Sequence, residues 1–208
     1  PERSVADAFD RLRDLERSWS RFLPDSELNR VQAGAGEWTA VSADLFLALE
    51  RSMRMHVETG GLFDPTIRTA LEAWGYDRTF REIDAGDRRA PVSRPAPGLA
   101  AIELDRTSRA VRMAPDHAID LGGIGKGLAA EIVAEEAVTG GASGVYVCLG
   151  GDIHAAGEPR GRGWNVPLLA PVTRAPVAHH VLRRGGLVMS TSAIRRWTCG
   201  GVAAHHLI

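Results

Sequence analysis

Eight residues, Asp120 to Gly127 (DLGGIGKG), place four glycines and a lysine directly behind a carboxylate. Residue types of this kind could hold a phosphate. A P-loop would need serine or threonine after the lysine to reach a magnesium ion, and Gly127 follows Lys126. A dinucleotide fingerprint would need glycine at its sixth position, and counting from Gly123 puts Leu128 there. Neither pattern is met. What survives is that glycines let the backbone approach a ligand, at the start of a helix whose free N–H groups and dipole favour an anion. Lys126 in the first turn adds a cation where the dipole disfavours one, so a nearby anion would stabilise it. A glycine-lined turn with a solvated lysine explains the same residues, and residue chemistry alone leaves both readings open.

Other side chains suited to chemistry are scattered along the chain. Asp64 before Pro65 reads as a helix N-cap followed by proline at the first helical position, and the same carboxylate could border a pocket. Asp120, between Ile119 and Leu121 at an expected strand end, requires hydrogen-bond donors or a cation if buried. Asp152 follows two glycines and either ends a strand or neighbours a site. In the pairs His179-His180 and His205-His206, adjacent strand residues point to opposite faces, so neither pair chelates one ion with both rings. Ser190, Thr191 and Ser192 could bind phosphate or close a turn. With no G-x-S-x-G elbow in the chain, no serine-hydrolase triad is legible.

The elements that must position these groups follow from periodicity. Val5, Ala8, Phe9, Leu12, Leu15, Trp19 and Phe22 recur at helical spacing behind a Ser4/Asp7 capping-box start. A second helix is expected from about Ser42, with Leu45, Leu49, Met53 and Val57 inward and a stop at Gly60-Gly61. A third runs from Asp64 to Gly75, and an irregular, proline- and charge-rich connection spans Asp77 to Gly98. Residues 101–113 read as a hairpin turning at Asp105 to Ser108. Ile124, Leu128, Ile132 and Val133 form a helical stripe that stops at Gly140-Gly141. Val145, Val147 and Leu149 alternate along a strand ending at Gly150-Gly151. Trp164 to Leu169, Val177 to Leu182, Leu187 to Ser190 and Ala203 to Ile208 are further strands, with Gly185-Gly186 as a two-residue hairpin turn. Early helices and late strands without regular alternation define an α+β chain, early helices packed on a mainly antiparallel sheet.

At 208 residues the chain can bury one substantial core, and a single globular unit is expected. A formal charge of −1 leaves no positive field for a polyanion, so nucleic acid is not an expected partner, and the pairs Arg88-Arg89 and Arg195-Arg196 read as surface turns. Cys148 and Cys199 lack C-x-x-C spacing and are expected as buried free thiols. No apolar run is long enough to span a bilayer. The start at Pro1 and the apolar finish at AAHHLI suggest a piece of a longer protein.

Five segments, in order, carry a resemblance: SRFLPDSELNRVQ (Ser20 to Gln32), GLFDPTIRTALEAWGYD (Gly61 to Asp77), IDLGGIGKGLAAEIV (Ile119 to Val133), LGGDIHAAG (Leu149 to Gly157) and the final HHLI. Together they resemble the ApbE family of flavin transferases over nearly the whole of residues 1–208. The resemblance implies a T-fold-like α+β domain. It implies an FAD:protein FMN transferase that moves FMN from FAD to a threonine or serine of an acceptor flavoprotein, releasing AMP with the help of Mg2+. An FAD pyrophosphatase or a non-catalytic FAD-binding protein are the alternatives.

By the same resemblance Phe22 stands where many relatives have a flavin-contacting tyrosine, Leu62, Phe63 and Asp64 line the FAD site, and Asp120 is an FAD-contacting carboxylate. Lys126 falls where some relatives carry glutamate, and Gly123 where a backbone carbonyl ligates magnesium. His206 matches a histidine that would serve as general base, and Ile208 an aliphatic FAD contact. The family's amino-terminal strand, an upstream FAD-touching methionine and a carboxyl-terminal aspartate and threonine metal cluster are expected outside residues 1–208. The resemblance also implies a membrane-associated or exported protein, or a cytoplasmic form of one.

Overall fold

In a computed structural model, residues 2–83, 95–159 and 161–207 are described, with the side chains of residues 2–4 left aside. The helices are α1 (Glu2–Trp19), α2 (Glu27–Ala33), α3 (Ala43–Glu58), α4 (Arg68–Ala73) and α5 (Gly125–Thr139). The strands are β1 (Thr39–Ala40), β2 (Ile102–Asp105), β3 (Ala110–Met113), β4 (Gly144–Leu149), β5 (Asp152–Gly157), β6 (Trp164–Leu169), β7 (Pro176–Leu182), β8 (Gly185–Leu187), β9 (Arg196–Cys199) and β10 (Val202–His205). All described strand pairs are antiparallel, as an α+β chain requires. Backbone contacts group the residues into two units: unit one holds Pro1–Leu15 and Ile124–Ile194, unit two Glu16–Gly123 and Arg195–Ile208. Among the described residues no helix is long and apolar enough to cross a membrane.

In unit two, Ser42 caps α3 by accepting the Leu45 N–H, and the helix buries Leu45, Phe46, Ala48, Leu49 and Ser52. Full burial of a leucine such as Leu45 or Leu49 contributes about 1.5–3 kcal/mol. The inward face expected of α3 is rotated at its far end: Val57 is exposed and Met53 only partly covered. Ser26 caps α2 in the same way, accepting from Asn29 N–H. Glu27 ties three segments together, accepting bonds from the Ser18 hydroxyl and from both the N–H and hydroxyl of Ser42, each at 2.6 Å.

The hairpin of β2 and β3 forms where the sequence places it, with β1 added on the other edge of β3. Asp105 closes its turn by accepting from the Ser108 hydroxyl and the Thr107 N–H, which hold its carboxyl below the ordinary value. Opposite Glu103, Arg112 forks onto the carboxylate across the strand pair and lowers it likewise. A second core gathers Leu71, Tyr76, Trp197, Cys199 and Ala204 from α4, its exit and the β9–β10 hairpin, which turns at Gly200 and Gly201, both at positive φ. Trp197 donates its indole N–H to the Trp74 carbonyl at 2.6 Å, satisfying its polar atom inside that core.

In unit one, α5 packs on β4 and β5, and its stop at Gly140-Gly141 is where the sequence places it. The sheet order is β4-β5-β8, and β6 pairs with β7 in a separate ladder. Val145, Val147 and Leu149 are partly covered while Tyr146 and Cys148 are exposed, so the expected alternation of β4 is present. Burial, with Cys148 adding to it, pushes the Tyr146 phenol above its ordinary value.

Several expectations are corrected. Helix α1 already begins at Glu2, so Ser4 lies inside it rather than capping it, and Val5 and Phe9 are exposed although they share the period of buried Leu15 and Trp19. Asp64 does not cap an α-helix: its Oδ1 accepts from the Thr66 N–H and hydroxyl, an aspartate turn, and α4 begins only at Arg68 after Ile67. Gly185 and Gly186 are not a hairpin turn but part of β8, opposite Ala155 and His154 of β5. Strand β10 ends at His205. Cys148 is exposed and only Cys199 is buried.

Candidate functional site

Unit two assembles its site around Asp120. The segment is pinned on both sides, with Ile119 N–H donating to the Gln32 side-chain oxygen at 2.6 Å and Asp120 N–H to the Pro65 carbonyl at 2.8 Å. Residues 118–120 are irregular backbone rather than a strand end, so these two bonds do the positioning that a ladder would. The carboxylate is buried, as the flanking apolar residues imply, and it has the cation that burial demands. Arg21 Nε lies 2.6 Å from Asp120 Oδ2, with side-chain exposures of 4% and 8%. The other oxygen, Oδ1, accepts the Gly122 N–H at 2.5 Å.

Arg21 is the residue sequence reasoning missed. The need of Asp120 for a cation was the available signal, but no period connects positions so distant along the chain. Beyond Asp120, its Nη1 donates to the Tyr76 carbonyl at 2.8 Å and lies 3.9 Å from Glu72. The guanidinium carbon sits 4.2 Å from the centre of the Phe22 ring and 4.6 Å from that of Tyr76. Phe22 is 37% exposed and leans on Tyr76 at 5.8 Å between centroids, and Tyr76 leans on Trp197 at 5.3 Å. A continuous series of contacts thus joins the expected residues Asp120 and Phe22 to the β9–β10 hairpin. His206 follows that hairpin directly and is half-buried.

Asp64 stands near this cluster through Pro65, whose carbonyl holds Asp120. Its Oδ2 lies 3.7 Å from His56 Nδ1. Phe63 and Gly123 meet: a methyl group on Gly123 would come 2.9 Å from the Phe63 ring, so glycine permits that approach. Leu62 points away into solvent at 92% exposure, on a loop led by Gly60 and Gly61 at positive φ. Ile208 lies outside the described residues.

Gly122 is tighter still than Gly123. A Cβ there would fall 2.6 Å from Asp120 Oδ1, and that carboxylate cannot withdraw without leaving Arg21. Gly122→Ala is therefore expected to cost about 1–3 kcal/mol of stability, the usual range for overpacking, read as a shifted urea midpoint with unchanged slope.

Lys126 belongs to unit one, where its ammonium pairs with Asp152 Oδ2 at 2.6 Å and its stem lies against Gly150. Asp152 therefore pairs with the lysine that the resemblance places at the site, as well as opening β5. The first turn of α5 has Ile124 at its N-cap position and no side-chain cap bond. Thr191 accepts the Ala193 N–H at 3.0 Å and so closes a turn. His179 and His180 are exposed on β7.

A magnesium ion needs a near-octahedral shell of oxygen ligands. Gly123 is exposed, and among the described residues no group of three or more His, Cys, Asp or Glu could hold a metal. The described residues do not make a magnesium cage by themselves.

Mixed helices and antiparallel ladders, with a glycine-rich segment anchored by a buried arginine–carboxylate pair, define an α+β architecture. The chain belongs to the ApbE family, whose model matches residues 2–208. It is 27% identical to an FAD:protein FMN transferase of Rhodobacter capsulatus, an alignment covering 100% of this chain and 41% of that protein. It is also 27% identical to an FAD:protein FMN transferase of Haemophilus influenzae, covering 78% and 49%. The chain thus spans about half the length of the curated relatives it matches. The crystal structure of an ApbE protein from Thermotoga maritima superposes with a TM-score of 0.85 at 21% identity, covering all of this chain and 68% of that one. A flavin transferase ApbE from Vibrio cholerae gives 0.70 at 21% identity over 88% and 60%.

Proposed function

We propose that the protein containing this chain is an FAD:protein FMN transferase, with FAD as donor and a threonine or serine hydroxyl of a flavoprotein as acceptor. The observation that carries the reading is the clustering of Phe22, Asp64, Asp120 and Gly123 within unit two of a chain that belongs to the ApbE family. Phe22 offers partly exposed aromatic surface for contact with a flavin or adenine ring, worth about 0.5–1.5 kcal/mol beyond its area. Asp120, held rigid by Arg21 and Gly122, retains unused lone pairs for a ligand N–H or hydroxyl.

In the transfer, the acceptor hydroxyl oxygen forms a bond to the phosphorus of the FMN half of FAD. The bridging P–O bond to the AMP half breaks, and AMP departs with the bonding electrons. His206, as a neutral imidazole, accepts the hydroxyl proton; general bases of this kind contribute about 10²–10⁴-fold. Magnesium is proposed as the counter-ion of the pyrophosphate, and with no closed protein shell among the described residues no step is assigned to it. Export or membrane association is likewise proposed.

The full-length protein incubated with FAD and Mg2+ is expected to release AMP only when an acceptor protein is present. AMP and free FMN appearing together without acceptor would indicate a pyrophosphatase, and FAD retained intact under all conditions a binding protein.

A further inference from the structure

We propose that Arg21 is a positioning residue of this site: its planar guanidinium fixes the Asp120 carboxylate and the Phe22 ring in one mutual geometry. The inference rests on the FAD-binding reading above. Three directions of the guanidinium are spoken for at once, by Asp120 Oδ2 at 2.6 Å, by the Tyr76 carbonyl at 2.8 Å, and by the faces of Phe22 and Tyr76 at 4.2 and 4.6 Å. A plane that donates along its edge and stacks on its face cannot turn without losing one of these contacts. Phe22, half out in solvent, has its inner face held by this cation, and its exposed part is what a ligand ring would meet. Asp120 is set from the other side by the Gly122 N–H, so the carboxylate and the aromatic ring are aimed by one side chain.

A stability role alone does not account for the arrangement. Burying an ion pair gains little over an apolar pair of the same volume, and Arg21 Nη2 is buried with no hydrogen-bond partner. Such an orphaned donor is a cost that well-packed apolar residues would not incur. The arginine therefore specifies orientation at the expense of stability.

The test compares the natural full-length protein with Arg21→Lys, Phe22→Leu and the double variant, measuring FAD Kd by fluorescence titration alongside Tm. Lysine keeps the charge for Asp120 but supplies neither the fork nor the stack. The expected result for Arg21→Lys is a Tm close to wild type and at least a tenfold rise in FAD Kd. Because Arg21 acts partly through Phe22, the double variant is expected to bind FAD more tightly than the product of the two single effects requires. Where the lysine variant does not fold, Arg21→Gln, which keeps a planar donor, takes its place. An Arg21 variant that binds FAD within twofold of wild type, loses affinity only in step with Tm, or combines with Phe22→Leu multiplicatively overturns the inference while the transferase reading stands. Wild-type protein that fails to bind FAD overturns the transferase reading and this inference together.

Discussion

Asp120→Ala is expected to lower the unfolding free energy by about 3–5 kcal/mol, the range for removing one partner of a buried ion pair. The variant strands the Arg21 guanidinium, whose side chain is only 4% exposed, and deprives the Gly122 N–H of its acceptor. Loss of the Asp120 side chain also frees Phe22 and Tyr76 from a cation fixed at its far end. The measurement is urea denaturation followed by tryptophan fluorescence, since Trp74 and Trp197 of unit two report on the same packing. In the double variant Arg21→Met/Asp120→Leu, which removes both charges and fills the space, much of the lost stability is expected to return. FAD affinity is expected to stay low in both variants, separating the ligand role of the carboxylate from its role in the fold. A single-variant loss under about 1 kcal/mol, the range of an exposed pair, would contradict the burial on which the site is built.

His206→Gln is expected to slow FMN transfer by about 10²–10⁴-fold while leaving FAD Kd within a few-fold of wild type. The imidazole sits just beyond β10, whose pairing with β9 is anchored by Trp197 against Tyr76. Single-turnover rates at saturating FAD, beside a binding titration, separate the two effects. A general base acts on the acceptor proton and not on FAD in its ground state, so its removal reduces kcat and kcat/KM for the acceptor together. Parallel losses in FAD affinity and rate would make His206 a ligand contact instead.

The elements most legible in the sequence were those whose pattern is local. Ser42 and the Leu45/Leu49 spacing mark α3, glycine pairs mark the ends of α5 and β4, and alternation marks β4 itself. Where tertiary surroundings decide, the pattern misled. Val5 and Phe9 share the period of Leu15 and Trp19, yet no period can tell which turns of a helix find a partner. Asp64-Pro65 has the composition of a helix start, but the Thr66 hydroxyl competes for the carboxylate and closes a turn first. Gly185-Gly186 reads as a turn by composition, and the open edge of β5 recruits it as a strand. The short α2 and the strand β9 offered too few residues for a period to register.

The members of this cluster were marked along the chain by the family resemblance, and their wiring was not. Asp120, Phe22, Phe63, Asp64 and Gly123 could be marked along the chain, and the demand of a buried Asp120 for a cation could be stated. That Arg21 is the cation, and that Tyr76 and Trp197 carry its contacts onward, depends on side chains brought together only by folding.

The most direct test of the central claim is the intact mass of a threonine-containing acceptor flavoprotein after incubation with FAD, Mg2+ and the full-length protein. A gain of one FMN, matched by AMP release and abolished by His206→Gln, is the predicted result. An acceptor series that remains unmodified while FAD is bound or hydrolysed would contradict the account.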